Sequence, residues 1–246
     1  FVALAPARIL DTRPGSRTNY TGNMPAAGAV TPVRVLGLGG MPTAGVSAVA
    51  LNVTALDATG MAFVTVFPHG GAVPTASNVN FDAGGEVRPN QVIVPVSADG
   101  WVDVFTEQAT NLIIDVAGYY TDATAASSTT GLFVPVSPSR LLDTRLASQT
   151  GYSGGKPAAG AVVAVIVPGG GSAAVLNLTQ TESDASGFVT AYPAGDGLPT
   201  ASNLNFESAG LTSPNHAIVR LGAGGAANLY TSAPTHLIAD LAGRFT

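Results

Sequence analysis

The tetrapeptide LDTR occurs twice, at Leu10–Arg13 and at Leu142–Arg145. Residues two apart in an extended segment share a face, so Asp11 stands beside Arg13 and Asp143 beside Arg145. A carboxylate beside a guanidinium can grip a sugar or a peptide terminus. It can also form a structural ion pair that fixes the strand, and that is the reading adopted. Two more acids, Asp115 in LIIDVAG and Asp240 in LIADLAG, lie inside otherwise apolar strands. A carboxylate there is costly unless it is paired or hydrogen-bonded. The arginines of the same repeat, Arg8 or Arg13 and Arg140 or Arg145, are the expected partners.

PTASNVNF (Pro74–Phe81) returns 125 positions later (199 − 74) as PTASNLNF (Pro199–Phe206). In extended form it places Ser77, Val79 and Phe81 on one face and Asn78 and Asn80 on the other. Ser202, Leu204 and Phe206, with Asn203 and Asn205, match them. Asparagine amides both donate and accept, so these four can meet glycan hydroxyls or cap neighbouring loops. Both copies keep the segment while the loops around it differ, which favours a scaffold role. Trp101, the single tryptophan, is a candidate sugar-stacking platform, but beside a turn and opposite Ala226 it reads as packing.

The three histidines, His69, His216 and His236, fall in no hydrolase or metal motif and read as surface or loop residues. Their counterparts in the other copy are Ala194, Gln91 and Asn111. No nucleophile–base pair and no metal-ligand spacing emerges. Catalytic residues, metal and cofactor are therefore all expected to be absent.

The elements that must position these residues are organised by the repeat. FVALAPARILDTR (Phe1–Arg13) matches FVPVSPSRLLDTR (Phe133–Arg145), and LIIDVAGYY (Leu112–Tyr120) matches LIADLAGRF (Leu237–Phe245). The second copy is shorter only between Val162 and Leu176, which marks a loop. Apolar residues alternate with a period of two in AFVTVF, NQVIVPV, WVDVF and NLIIDVAGYY, and Gly, Pro, Asn or Asp bound these segments. LDATGMAF and SDASGF read as Asp-initiated turns in which Gly supplies the positive φ, and SADGW as a hairpin turn. The expected fold is all-β: two tandem jelly-roll-like β-sandwich units of about eight strands each. The units are placed at 1–122 and 132–246, with a small polar linker at 123–131.

Composition limits the partners. Only 10% of the 246 residues are charged, the net charge is −5, and Lys156 is the only lysine; a typical soluble domain has about 25% charged residues. No basic face exists to hold phosphates or an anionic membrane surface, so neither nucleic acid nor membrane insertion is expected. No apolar run approaches the length of a membrane span. Cysteine is absent, which excludes disulfides and thiolate chemistry. The chain opens on Phe1 with no signal peptide in view, as expected of a processed or trimmed product.

RILDTR, LNVTALDA, PTASNVNF and NLIIDVAGYY together resemble a repeat module of secreted and cell-surface bacterial proteins of actinomycete type. Such modules are often appended to peptidoglycan amidases and other exported hydrolases. The resemblance covers both halves of the chain and implies an extracellular or cell-surface location, without implying an activity. Many modules of this kind carry a cysteine pair where this chain has His69 and Asp103, and Ala194 and Asn228 in the second repeat. Packing is expected to replace that bridge. With mean hydropathy +0.33 and few charges to suppress association, the leading expectation is a non-catalytic structural or surface-assembly protein of a filament, sheath, coat or wall matrix. Its partner would be itself or a cell-wall polysaccharide. The alternative is a carbohydrate- or peptidoglycan-binding module of a secreted enzyme.

Overall fold

A computed structural model describes residues 1–246. The chain divides into two compact units, one of Pro6–Ala126 and one of Phe1–Ala5 with Ser127–Thr246. The division falls inside the polar 123–131 segment, and the first five residues group with the second repeat.

The first repeat supplies β1 (Val2–Asp11), β2 (Ala29–Arg34), β3 (Val46–Leu56), β4 (Ala62–Pro68), β5 (Val79–Phe81), β6 (Arg88–Pro95), β7 (Trp101–Thr106) and β8 (Asn111–Thr121). The second supplies β9 (Phe133–Asp143), β10 (Val162–Ile166), β11 (Ala173–Thr181), β12 (Gly187–Pro193), β13 (Leu204–Phe206), β14 (Ser213–Arg220), β15 (Ala226–Thr231) and β16 (His236–Phe245). There is no α-helix, only a 3₁₀ turn at Ala223–Gly225, and no helix long and apolar enough to cross a membrane.

Each repeat makes two four-stranded sheets, in the orders β1-β8-β3-β6 and β2-β7-β4-β5, then β9-β16-β11-β14 and β10-β15-β12-β13. First strand beside last, second beside seventh: this is the double-sheet jelly roll, formed twice with one topology. Period-two alternation builds the cores. In β10, Val163 and Val165 are buried while Val162, Ala164 and Ile166 face out. Leu142, Leu176, Leu178, Leu204, Phe206 and Leu229 complete the second core. Leu10, Leu51, Val53, Val79, Phe81 and Val104 are their counterparts in the first.

The last strand of each sandwich bends at a matched bulge. Leu51 pairs with Val116 and Ala50 with Gly118, skipping Ala117; Leu176 pairs with Leu241 and Val175 with Gly243, skipping Ala242. Past the second bulge a Cβ on Gly243 would lie 2.3 Å from the Phe133 ring, so the ring packs directly over the glycine backbone and any larger residue would displace it. Phe245 gathers the Phe133 ring at 5.5 Å and the Phe1 ring at 4.5 Å.

The turn after β3 differs from expectation. Asp57 itself adopts the left-handed conformation, φ 57°, and Glu182 repeats it at φ 54°. Gly60 is not in that region. The Asp57 carboxylate accepts a hydrogen bond from the Asn111 amide at 3.0 Å, an anchor of the kind that lets Asp hold this conformation.

Candidate functional site

The LDTR residues form closed ion pairs. Arg13 donates through Nε and Nη2 to the Asp11 carboxylate at 3.1 and 2.7 Å, and the Arg13 backbone N–H reaches the same group at 3.0 Å. Arg145 and Asp143 reproduce this at 3.0, 2.7 and 3.0 Å. Asp11 and Asp143 are fully buried, and the Arg145 guanidinium holds Asp143 well below the usual carboxylate range. Thr12 and Thr144, between the paired residues, complete the lock. Thr12 donates to the Asn111 side chain and Thr144 shares a hydrogen bond with His236 Nδ1, both on the last strand, and each threonine accepts the N–H of Leu112 or Leu237.

Arg8 holds Asp115 with two hydrogen bonds, 2.9 and 3.2 Å; Arg140 holds Asp240 at 2.8 and 3.0 Å. Of the arginines offered by the sequence, the nearer neighbours on β1 and β9 are the partners. Each also leans on its LDTR carboxylate, at 3.4 and 3.2 Å. The two acids differ in setting. Asp115 is buried, whereas the Asp240 side chain is 28% exposed.

The octapeptide asparagines do separate jobs. The Asn78 side-chain oxygen accepts the Val66 N–H at 2.7 Å, its N–H binds Val64 O at 2.8 Å, and its own carbonyl accepts the Asn90 amide at 2.7 Å. Asn203 repeats all three contacts with Ala191, Val189 and Asn215. Thr65 and Thr190 tie down the preceding carbonyls of Ala76 and Ala201. Asn78 and Asn203 therefore splice the loop onto β4 and β12. Asn80 is exposed beside Phe63 in the β4–β5 pairing, and Asn205 is half-buried beside Phe188.

His69 and Asp103 meet. His69 Nδ1 lies 2.7 Å from Asp103 Oδ1, and the Gly70 N–H donates to Oδ2 at 3.1 Å. A polar clasp, not packing, joins the two positions where the resemblance implies a cysteine pair. The resemblance sets the two positions side by side, but the imidazole–carboxylate contact matches no motif, so the expectation was packing. The Trp101 ring lies 6.1 Å from His69, with the Arg34 guanidinium 6.0 Å from its centroid. A hollow of about 280 Å³ lined by Ile9, Asn19, Arg34, Leu38 and Trp101 adjoins it. Of the other histidines, His216 is exposed on β14, but His236 is buried. It opens a strand, not a loop, because it replaces Asn111 as the partner of the LDTR threonine.

The sheet edges carry a feature that the sequence reading passed over. An edge strand exposes unpaired backbone and is normally blunted by proline, charge or brevity. Of the eight edge strands, β5 and β13 have three residues each. β1, β2, β6, β9 and β14 all contain proline together with arginine. β10 reads VVAVI, with neither. Its outward Val162 is 51% exposed and Ile166 71%, and an open hollow of about 570 Å³ lies between Val162–Ala164 and Gly151–Ser153. Among the residues of both units no group of three or more His, Asp or Glu could hold a metal ion. No family model matches the chain, and no curated protein matches it significantly.

Proposed function

We propose that this chain is a non-catalytic structural or surface-assembly protein of the bacterial cell exterior, built from two jelly-roll modules. The unguarded β10 edge carries this reading: it is the one edge strand of usable length without proline or charge. Composition supports it, because at least seven of the ten basic residues are engaged in ion pairs inside their own unit or surface loops, leaving little charge to keep copies apart. Antiparallel pairing of β10 with β10 of a second copy, centred on Ala164, opposes Val162 to Ile166 and Val163 to Val165. Such a contact is two-fold and closes a pair, the building block for a larger array. The test is light scattering and negative-stain microscopy of the chain beside Ala164→Lys/Ile166→Lys. Association of the parent, and a monomeric variant of unchanged Tm, are expected. A parent that stays monomeric at high concentration overturns the reading.

A further inference from the structure

We infer that each repeat carries a binding row for a neutral glycan: Asn80–Phe63–Phe105 in the first and Asn205–Phe188–Tyr230 in the second. The row lies on the outer face of the β2-β7-β4-β5 sheet and of its counterpart. Val64 and Val79 point into the core, so Phe63 and Asn80, paired across β4 and β5, point away from it. Phe105, diagonal to Phe63 on β7, lies with its ring 5.8 Å from that of Phe63 at 42°. The second repeat sets Phe188 and Tyr230 at 5.9 Å and 41°. Three neighbouring strands span about 10 Å, room for a disaccharide.

The chemistry selects the ligand. Tilted rings with a partly open face stack on the C–H faces of sugars, and an adjacent amide offers both donor and acceptor to vicinal hydroxyls. The Asn80 amide is not used elsewhere in the protein, and the Asn205 amide donates one N–H to Ser202 Oγ at 3.2 Å, which leaves its oxygen and second N–H for a ligand. Neither lysine nor arginine occurs on β4, β5 or β7, or on β12, β13 or β15, and the one acid, Asp103, is taken by His69. A neutral ligand complements such a face, and an anionic one does not. Along β7 and β15 the two repeats differ at Trp101/Ala226 and Asp103/Asn228, yet both keep an aromatic residue at Phe105/Tyr230. Folding requires no outward aromatic there, since the buried Val102, Val104, Ala227 and Leu229 already supply the inner face.

Calorimetric titration with chitohexaose and, separately, cellohexaose tests the site and distinguishes an N-acetylated wall chain from a plain glucan. At least one is expected to bind at two equivalents per chain and to shift the side-chain amide resonances of Asn80 and Asn205. Asn80→Ala should reduce the stoichiometry to one at unchanged Tm, and Phe63→Leu should weaken the first site at least tenfold. Failure of both oligosaccharides to bind at millimolar concentration, or an Asn80→Ala titration identical to the parent's, overturns the inference. Sugar binding is read here independently of β10 pairing, so either can fail while the other stands.

Discussion

Asp115 and Asp240 occupy one position of the repeat in two environments, and the same truncation should cost differently. The Asp115 side chain is 3% exposed against an Arg8 that is 14% exposed. Asp115→Ala takes both short hydrogen bonds from that guanidinium and leaves it only the 3.4 Å contact to Asp11, and removing one partner of a buried pair costs about 3–5 kcal/mol. Asp240 and Arg140 are 28% and 40% exposed, so water screens the pair and Asp240→Ala should cost about 1 kcal/mol or less. Chemical denaturation of the two variants checks the contrast, and equal losses would refute it. His69 gives a pH signature of opposite sign to that of the acids. Its hydrogen bond to Asp103 raises its pKa above the usual 6.5. The added stability is therefore complete below pH 6.5 and is lost as pH rises through the raised value. Tm measured from about pH 5 to pH 9 should fall more steeply for the parent than for His69→Asn. The ion pairs were legible because an acid in an apolar strand demands a partner and the repeat supplied candidates twice. The His69–Asp103 clasp was legible only as a place: the resemblance marks the two positions as a bridged pair, but no motif announces that an imidazole and a carboxylate fill it.

At the scale of the element, the octapeptide divides its labour along its own alternation. Asn78 is stitched to β4 while Asn80 looks outward. Asn78→Ala leaves the Val66 N–H without its acceptor and should cost about 1–3 kcal/mol. Asn80→Ala should stay within about 0.5 kcal/mol. Thermal melts of the two single variants separate a scaffold residue from a surface one. Strand positions were readable from period-two alternation and from Gly and Pro boundaries. The SADGW turn forms with Gly100 at φ 90°, but it is not the expected hairpin: it carries the chain from β6 in one sheet to β7 in the other. Edges were not readable, since the exposed status of VVAVI depends on which strand lies beside it. An apolar run of that kind looks the same in the middle of a sheet.

For the whole molecule, duplication made the jelly roll legible: two copies agreeing in their turns and apolar faces leave few arrangements for eight strands. The placement of Phe1–Ala5 with the second repeat was not legible, since Phe1 and Phe245 are brought together only by the fold. Association through β10 involves backbone and aliphatic groups. It should therefore survive roughly 1 M salt, where the screening length is only about 3 Å, and sedimentation at low and high salt measures this. Dissociation by salt would indicate ion pairs instead.

The pairing of first strand with last also decides how a module answers a pull. In the second repeat Phe133 opens β9 and faces Phe245 at the close of β16, so tension on the flanking chain acts on one end of an antiparallel ladder. Its hydrogen bonds then part in succession, as in a zipper, instead of resisting together in shear. Stretched singly, the module should yield at low force and release about 370–410 Å of chain at 3.3–3.6 Å per residue. A matrix of such units would give way early under load and dissipate it as length.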